Sequence, residues 1–337
     1  MSNDTILWGI VGPGRIAARV AEDLAVNEGG RLHAVGSRSI DRARAFADEH
    51  GAAVAHGSYG ELLADPDVDV VYIATPHRQH HALALAAAAE GKHLLVEKAF
   101  ACTLAGTSRV IGAVRDAGVF CMEAMWTRFQ PAVVRLRDLL ADGAIGEVHS
   151  VRADFGRRTR FDPDDRLWDA AQGGGALLDL GVYPVSFIQS VLGGTPAELH
   201  VAGRTAPNGV DADATVTWHT SDGRAGIGQC SLSGPLTGTA AVFGADGWIE
   251  VPAPFHHPDR IVVHRVRGQD DIDAETVDAP ATGNGYSHEL DEVHRCLRAG
   301  VTESPTMPLD DTVAVMSVLE QALHALGVHF DEGAVPI

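Results

Sequence analysis

Lysine is almost missing from this chain. Only two of its 26 basic residues are lysines, Lys92 and Lys98, and the rest are arginines. A general compositional preference for arginine is the main explanation of this bias. A lysine that persists against such a preference still suits a position that needs a compact ammonium with an adjustable pKa, which arginine does not supply. The scarcity therefore marks Lys98 as a candidate functional residue.

Cysteine is also scarce, and its spacing matches no common metal or disulfide pattern. The four cysteines are scattered, with no pair in a C-x-x-C arrangement, at Cys102, Cys121, Cys230 and Cys296. Such spacing is typical of reduced thiols in a cytoplasmic protein. We predict no metal site from the sequence.

Long apolar runs and a positive charge balance are absent as well. No uninterrupted apolar run approaches the ~20 residues that span a bilayer. The first residues, Met-Ser-Asn-Asp-Thr, lack a basic region, so no signal peptide is expected. The net charge of −19 disfavours nucleic acid and anionic membranes as partners. We therefore expect a cytoplasmic protein that acts on a small molecule and needs local basic groups for any anionic cofactor.

Strands and helices alternate through the first 124 residues. Strands are predicted over residues 6–11, 31–36, 68–74, 93–97 and 119–123, with helices over 15–26, 41–50, 79–90 and 104–117. Asp41 is placed to cap the second helix. The continuous apolar run at 68–74 is typical of a strand buried on both faces of a parallel sheet. This alternation predicts an NAD(P)-binding Rossmann domain over residues 1–124, with a doubly wound parallel sheet.

The pattern changes after Met125. A helix over 131–141, a strand over 149–155 and a polar loop over 156–171 are followed by β-rich runs at 199–204, 214–220, 224–231, 239–251 and 260–267. Turn signals at 221–223 and 245–247 predict antiparallel hairpins. Two helices, over 288–299 and 309–326, end the chain. Residues 125–337 are therefore predicted to form an α+β substrate-binding and oligomerisation domain on an open, mainly antiparallel sheet.

A glycine-rich turn separates the first strand from the first helix. Residues 12–17 read G-x-G-x-x-A. In that position the glycines permit a tight turn and a close approach of the backbone to a pyrophosphate at a helix N-terminus. The predicted cofactor contacts here are Gly12, Gly14, Arg15 and Ile16, and the alternative is a tight turn without a ligand.

The end of the second strand indicates which dinucleotide binds. An acid at this position favours NAD, because it binds the ribose 2′-hydroxyl. This chain has Ser37 and Arg38 there, with Arg42 close behind. A hydroxyl and two guanidinium groups suit a 2′-phosphate. NADP is therefore predicted over NAD, the alternative being that both arginines are simply solvated.

One glycine-rich stretch combines a carboxylate with a phenol. Residues 172–185 read QGGGALLDLGVYPV. The part after the glycines predicts an apolar helix on which Asp179 and Tyr183, four residues apart, share a face. Such a pair on an apolar helix is a candidate for half of an active site.

Four motifs together resemble the Gfo/Idh/MocA oxidoreductases over essentially the whole chain. They are G-x-G-x-x-A, Ala74-Thr75-Pro76-His77, Val96-Glu97-Lys98-Ala99-Phe100 and Gly173-Gly174-Gly175-x-x-x-Asp179-x-Gly181-x-Tyr183. The stretches Met122–Phe129 and Ala153–Gly156 are most similar to the branch of dimeric dihydrodiol dehydrogenases and NADP-dependent D-xylose 1-dehydrogenases. Inositol dehydrogenases of this family carry histidine where this chain has Tyr183.

The resemblance implies roles for individual residues. Lys98 and Tyr183 would carry the catalytic chemistry, with Asp179 beside them. Further cofactor contacts would come from Thr75, Pro76, His77, His80, Glu97, Lys98 and Arg128. The substrate would be bound by Trp126, Phe155, Asp179, Tyr183 and Tyr286.

The chemistry of the pair is coherent by itself. Oxidation of a hydroxyl by hydride transfer needs a base for the hydroxyl proton, and a neighbouring ammonium favours the phenolate form of tyrosine. The sequence is consistent with either Lys98 or Tyr183 as the proton carrier. Ala99 departs from the family's Glu-Lys-Pro, and proline would have restricted the backbone after Lys98.

Several alternatives stay open at this point. The first function is an NADP-dependent dehydrogenase of an aldopyranose such as D-xylose or glucose, and others are a trans-dihydrodiol dehydrogenase, an inositol-type dehydrogenase and a non-catalytic NADP(H) sensor. Lys98, Asp179 and Tyr183 each have a purely structural alternative, as a surface, helix-local and core residue respectively. The basic run from Arg157 to Arg160 is interpreted as a solvated loop. The open sheet predicts a homodimer or homotetramer.

Overall fold

The computed structural model describes residues 5–268 and 271–337. Their contacts divide the chain into two compact units. The first contains residues 5–124 together with 282–312 and 331–337, and the second contains 125–281 and 313–330. The division at 124 coincides with the boundary that the sequence suggests. The two later segments of the first unit lie within the range that the sequence assigns to the second domain, and the roles given to the two domains stay predictions.

The first unit is built on a six-stranded parallel sheet. Its strand order is β3-β2-β1-β4-β5-β6, with every neighbouring pair parallel. The strands are β1 (Ile6–Val11), β2 (Gly30–Gly36), β3 (Val54–His56), β4 (Val70–Ile73), β5 (His93–Glu97) and β6 (Cys121–Ala124). The predicted doubly wound sheet is confirmed. The strand order reverses between β1 and β4, and ligands of such sheets bind where that reversal opens a crevice.

Helices connect these strands. They are α1 (Arg15–Val26), α2 (Ile40–His50), α3 (Tyr59–Leu63), α4 (His77–Ala89) and α5 (Leu104–Ala117). The predicted cap of α2 is wrong. The helix begins at Ile40, and Ser39 caps it by accepting a hydrogen bond from the backbone N–H of Arg42 at 3.4 Å. Strand β3 and helix α3 are short and are not predicted from the sequence.

Residues 282–312 join the first unit through buried polar contacts. Helix α8 (Ser287–Ala299) follows a turn whose backbone N–H groups bond to the carboxylate of Asp23 on α1, from Asn284 and Tyr286 at 2.7 Å each. The indole N–H of Trp8 also donates to His294 on α8 at 2.9 Å. Asp23 is 1% exposed, so these bonds compensate its burial.

The second unit is built on an eight-stranded sheet. Its order is β14-β13-β12-β11-β7-β10-β9-β8, and only the pair of β7 and β10 is parallel in this part of the structure. The strands are β7 (Val148–Gly156), β8 (Glu198–Thr205), β9 (Asp211–His219), β10 (Ala225–Ser231), β11 (Ala240–Gly244), β12 (Gly247–Val251), β13 (Arg260–Val266) and β14 (Ile272–Asp278). The open, mainly antiparallel sheet is confirmed, with a hairpin at each predicted turn.

Three further helices complete the chain: α6 (Pro131–Ala141), α7 (Val182–Leu192) and α9 (Leu309–Ala325). Helix α7 packs on β7 and β10. Two glycines of β10 permit its close approach, since a Cβ on Gly228 would lie 3.3 Å from Cδ1 of Ile188 and one on Gly226 would collide with the same side chain. The element that carries Tyr183 is therefore fixed directly on the sheet.

One helical stretch of the described residues, Ala170–Leu192, is long and apolar enough to cross a membrane. Its most apolar part has a mean hydropathy of 1.4 and is 89% buried inside the protein. The sequence shows no uninterrupted apolar run there, because Gln172 and Asp179 interrupt it and three consecutive helical segments form the stretch. The core helix of a soluble protein can have the same length and apolar composition, so the stretch is weak evidence for a membrane span.

Candidate active site

The glycine turn of the first unit lies between β1 and α1, as the sequence predicts, and its cofactor contacts stay predictions. Gly12 has a φ of 92°, and a Cβ there would lie 2.8 Å from Cγ2 of Thr75. Gly14 caps α1, and its N–H bonds to the carbonyl oxygen of Gly12 at 2.8 Å. Arg15 is exposed and Ile16 is half-buried at the start of that helix. Bare backbone at a helix N-terminus suits a pyrophosphate.

The residues predicted to select the dinucleotide lie beside this turn. Arg38 and Arg42 are both exposed, whereas Ser37 is buried. One guanidinium nitrogen of Arg42 bonds to the carbonyl oxygen of Pro13 at 3.4 Å, which connects α2 to the glycine turn. The hydroxyl of Ser37 accepts a hydrogen bond from the N–H of Ser39 at 3.3 Å. Two exposed guanidinium groups at the end of β2 fit a 2′-phosphate.

His80 joins the loops that follow β4 and β5. One ring nitrogen lies 2.7 Å from the carbonyl oxygen of Thr75 and the other lies 3.0 Å from that of Ala99. His80 is fully buried, and this burial lowers its pKa to about 4. The ring centroid of His77, at the start of α4 after Pro76, lies 5.8 Å from that of His80. The peptide bond between Lys98 and Ala99 is cis.

Glu97 belongs to a buried acidic group. The hydroxyl of Tyr72 on β4 donates to Oε1 of Glu97. Glu289 of α8 is fully buried, and neither oxygen of its carboxyl group has a hydrogen-bond partner among the described residues. Burial first, and then the charges of Glu97 and Asp23, raise the pKa of Glu289 well above its ordinary value. The sequence analysis does not select Tyr72 or Glu289.

The glycine run in the second unit makes room for a buried carboxylate. Gly175 has a φ of 127°, and a Cβ there would collide with Oδ1 of Asp211. The other oxygen of Asp211 accepts a hydrogen bond from the backbone N–H of Leu177 at 2.5 Å. Burial raises the pKa of Asp211 to about 6. Asp211, which no sequence motif selects, therefore holds the start of the helical segment.

That segment is not the regular α-helix that its sequence predicts. Leu177–Gly181 form a π-helical turn with i→i+5 hydrogen bonds, and α7 continues from Val182. Asp179 lies in the π-helical turn and Tyr183 in the α-helix. The two residues are therefore not placed on one face by the regular i, i+4 spacing of an α-helix. The wider turn brings Gly181 against β10, where a Cβ would lie 3.0 Å from Sγ of Cys230.

An aromatic cluster surrounds the phenol of Tyr183. The indole N–H of Trp126 donates to its hydroxyl oxygen at 3.3 Å. The ring centroid of Phe155 lies 5.5 Å from that of Tyr183, and the centroid of His256 lies 5.2 Å from it. His256 also stacks on Phe155 at 4.3 Å. The structure thus brings together Trp126, Phe155 and Tyr183, and adds His256, which sequence reasoning missed although it lies in the unusual run Phe255-His256-His257.

Two arginines contact the carboxylate of Asp179. Arg166 bonds to Oδ1 at 3.1 Å, and Arg157 approaches Oδ2 at 3.4 Å. The side chain of Asp179 is only 9% exposed, whereas those of Arg157 and Arg166 are 51% and 39% exposed. Arg157 is therefore not the purely solvated residue that the sequence suggests.

The remaining predicted residues lie elsewhere in the two units. Arg128 is buried in the second unit, where its guanidinium donates to Oγ of Ser186 at 3.2 Å and to Gln189. Tyr286 is buried in the first unit at the start of α8. Lys98 is half-buried in that same unit. The cofactor role of Arg128 and the substrate role of Tyr286 stay predictions.

Family models match most of the chain. Residues 6–125 match an oxidoreductase family with an NAD-binding Rossmann fold, and residues 133–250 match the GFO/IDH/MocA C-terminal domain. The chain belongs to the Gfo/Idh/MocA oxidoreductases. The resemblance given by its four motifs is thereby confirmed.

Individual members of the Gfo/Idh/MocA family are similar over almost the full length. The trans-1,2-dihydrobenzene-1,2-diol dehydrogenases of Bos taurus and Oryctolagus cuniculus are 37% and 40% identical to this chain, over 96% and 89% of it and 98% and 91% of their own lengths. A 3-ketoreductase of Actinomadura kijaniata, solved with NADP and TDP-benzene, is 26% identical, with a TM-score of 0.83 over 95% of this chain and 98% of its own.

Membership of the Gfo/Idh/MocA family confirms part of the expected function. The protein is an oxidoreductase with an NAD(P)-binding Rossmann fold. The glycine turn at Gly12 and Gly14 lies in the first unit, and the aromatic cluster around Tyr183 lies in the second.

One group of side chains within residues 5–268 and 271–337 has the composition of a metal site. Ligand atoms of His33, Asp65 and Asp67 all lie within 4.8 Å of one another. The carboxylate of Asp65, however, is already hydrogen-bonded to Nε2 of His56 at 2.9 Å and to the backbone N–H of Asp67 at 3.0 Å. We interpret the group as a local hydrogen-bond network, and the absence of a metal requirement stays a prediction.

Proposed function

We propose that the protein is an NADP-dependent dehydrogenase that oxidises one hydroxyl group of a cyclic polyol or aldopyranose such as D-xylose or glucose. The observation that carries the proposal is the phenol of Tyr183 within its cluster of Trp126, Phe155 and His256. As the phenolate, this side chain can accept a substrate proton while the flat rings beside it contact the C–H face of a sugar.

We propose Tyr183 as the base. The alcohol loses its O–H proton to the phenolate oxygen of Tyr183 as its C–H hydride leaves, and the carbon–oxygen bond becomes a carbonyl. The bound nicotinamide supplies the hydride acceptor. Trp126 stabilises negative charge on the phenol oxygen through its N–H. Asp179 binds a neighbouring substrate hydroxyl.

NADP is the proposed cofactor because of the groups at the end of β2. Arg38 and Arg42 supply two exposed guanidinium groups beside the glycine turn, and Ser37 supplies a hydroxyl. Each arginine can form charge-assisted hydrogen bonds to a 2′-phosphate. The similarity to an enzyme solved with NADP supports this choice.

Substrate oxidation tests the proposal directly. The purified protein is incubated with NADP+ and a panel of aldoses, inositols and trans-dihydrodiols, and formation of the reduced nicotinamide is followed. We expect turnover of an aldose or cyclic polyol. Tyr183→Phe should lower kcat at least about 100-fold, whereas Tyr59→Phe, which alters a buried phenol on α3, should not. Unchanged turnover by Tyr183→Phe would contradict the catalytic role.

Lysine 98 needs its own comparison. If Lys98 acts as a fixed positive charge, Lys98→Arg retains part of the activity that Lys98→Met loses. If Lys98 carries the proton, both variants lose activity equally, because arginine stays protonated. The two outcomes separate the alternatives that the sequence leaves open.

A trans-dihydrodiol dehydrogenase is the second candidate. It is favoured by the relatives of that name at 37% and 40% identity. Oxidation of a trans-dihydrodiol followed by tautomerisation gives a catechol, and the rings around Tyr183 suit an unsaturated ring as well as a sugar face. A higher kcat/KM for a trans-dihydrodiol than for every aldose would favour this activity. Binding of NADPH without turnover of any panel member would favour a sensor.

We also propose a homodimer, or a homotetramer built from dimers, formed through the second unit's sheet. Strands β8 to β10 carry exposed residues including Ala202, Arg204 and Gln229, which line a hollow of about 380 Å³. Exposed sheet is a liability that pairing removes. A monomeric mass by light scattering at micromolar concentration would contradict this association.

A further inference from the structure

Two arginines from opposite ends of one loop meet at a single carboxylate. Arg157 immediately follows β7, and Arg166 lies nine positions further along the chain. They contact different oxygens of Asp179, at 3.4 Å and 3.1 Å. A nearly buried carboxylate with one guanidinium on each oxygen is held from two sides, because each arginine contact fixes the carboxylate in a different direction.

The chain between the two arginines is open to solvent. Residues 160–165 are all exposed. Other hydrogen bonds also attach this loop. The backbone N–H groups of Arg157 and Thr159 bond to the carbonyl oxygens of Ser231 and Leu232 at 2.9 and 2.8 Å, and the indole N–H of Trp168 bonds to the carbonyl oxygen of Arg160 at 3.0 Å. The carboxylate of Asp179 adds a contact to each end of the exposed segment.

We propose that Arg157 and Arg166 are positioning residues of the substrate site, which hold the Asp179 carboxylate in one orientation and connect the 157–166 loop to it. The inference rests on the proposed function in one respect, the contact of Asp179 with a substrate hydroxyl. Arg166 makes the shorter contact and is the less exposed of the pair, so its removal has the larger effect.

A double-mutant cycle tests whether the arginines act through Asp179. Arg166→Gln should lower kcat/KM about tenfold in the wild type, mainly by raising KM, and by less than about twofold in an Asp179→Asn background. Arg157→Gln should behave in the same way with a smaller effect. Arg166→Lys, which keeps the charge, should recover part of the loss. Equal effects in both backgrounds would overturn the inference.

Arg158→Gln is the matched control. It removes the same charge from the adjacent, exposed position of the same loop, and Arg158 has no assigned part in the site. We expect kcat/KM to change less than about twofold in either background, since an exposed charge at this position contributes little. A loss as large as that of Arg157→Gln would show that loop charge alone is responsible, and would overturn the inference.

Hydrogen exchange separates this inference from the proposed function, because it needs no substrate. Asp179→Asn and Arg166→Gln should each accelerate amide exchange in residues 157–168 by about tenfold relative to the wild type, and Arg158→Gln should not. Accelerated exchange in a protein that oxidises no polyol or diol would leave the positioning role intact and reject the function. Unchanged exchange in both variants would overturn the positioning role whatever the activity.

Discussion

The indole N–H of Trp126 donates to the phenol oxygen of Tyr183 over 3.3 Å, and both side chains are almost fully buried. A donor aimed at this oxygen stabilises negative charge there, and burial strengthens the effect because little water competes for the bond. The contact gives the candidate base, Tyr183, a hydrogen-bond donor from its own unit.

Removing this donor should weaken catalysis. Trp126→Phe retains an aromatic ring near His256 and His257, and it loses the indole N–H together with the volume of the five-membered ring. Since 3.3 Å is long for such a bond, we expect kcat to fall about tenfold rather than by the larger factors typical of an oxyanion donor. Trp248→Phe, which alters an indole stacked on His264, is the control. Steady-state kinetics that show equal effects would argue against the role of the indole.

Cofactor selection should depend on the two arginines after β2. Arg38→Ala and Arg42→Ala should each raise the Kd for NADPH about 10- to 100-fold, because each removes charge-assisted bonds to the 2′-phosphate. The Kd for NADH should change far less. Fluorescence titration of both nucleotides measures this, with Arg44→Ala, exposed on the same helix, as the control. Equal losses for NADPH and NADH would contradict phosphate recognition.

The buried carboxyl of Glu289 should make the protein less stable as pH rises. Its pKa is raised well above 4.5 by burial and by the charges of Glu97 and Asp23. In the unfolded chain the carboxyl ionises near pH 4.5, whereas the raised pKa keeps it protonated to a higher pH in the folded protein. Between these two pKa values the free energy of unfolding falls by about 1.4 kcal/mol per pH unit. Glu289→Gln should remove this loss and stabilise the protein at pH 8 but not at pH 4. Urea unfolding at both pH values measures it.

Glu292, on the same helix, provides a control of opposite sign. Burial tends to raise its pKa, but hydrogen bonds from Arg295 and Ser304 outweigh burial and lower it. A depressed pKa contributes stability above the unfolded value and loses it as pH falls. Glu292→Gln should therefore destabilise the protein at pH 8 and have a smaller effect at pH 4. If both variants shift stability in the same direction, the assignment of Glu289 as a neutral acid is wrong.

The glycine run should be intolerant of side chains where Asp211 lies. Gly175→Ala places a methyl group against the Asp211 carboxylate and forces alanine to a φ of 127°, so we expect a loss of at least about 3 kcal/mol in the free energy of unfolding. Gly118→Ala, in the left-handed region at a φ of 66° with no atom within 4 Å of the added Cβ, should cost only about 1 kcal/mol. Chemical denaturation compares them. Similar losses would mean that Asp211 moves away easily.

Much of the fold could be predicted because its signals are local. Alternation of strands and helices, and glycines at residues 12 and 14 between β1 and α1, indicate a Rossmann unit from short-range periodicity and turn chemistry. The ends of individual helices and strands were harder to predict from the sequence. Asp41 is a good capping residue by type, but Ser39 already caps the helix two residues earlier, and propensity alone does not choose between such close candidates.

The candidate site could be predicted only in part, for a different reason. Tyr183 and Asp179 stand out because polar groups interrupt an apolar run. Asp211 lacks any such signal, and the run Phe255-His256-His257 does not indicate which residues His256 contacts, since the partners of both residues lie far along the chain. Asp211 contacts Leu177 across 34 residues, and a pattern within one element carries no information about such pairs.

The sequence by itself determined the family, the position of the dinucleotide turn and the residue types available for proton transfer, because these depend on motifs of a few adjacent residues. Only the tertiary structure decided that the helical segment begins with a π-helical turn, and that Trp126 meets Tyr183 across 57 residues and Arg157 meets Asp179 across 22. Those arrangements follow from packing against the eight-stranded sheet. Side chains that are distant in sequence become neighbours there only when the strands between them have paired.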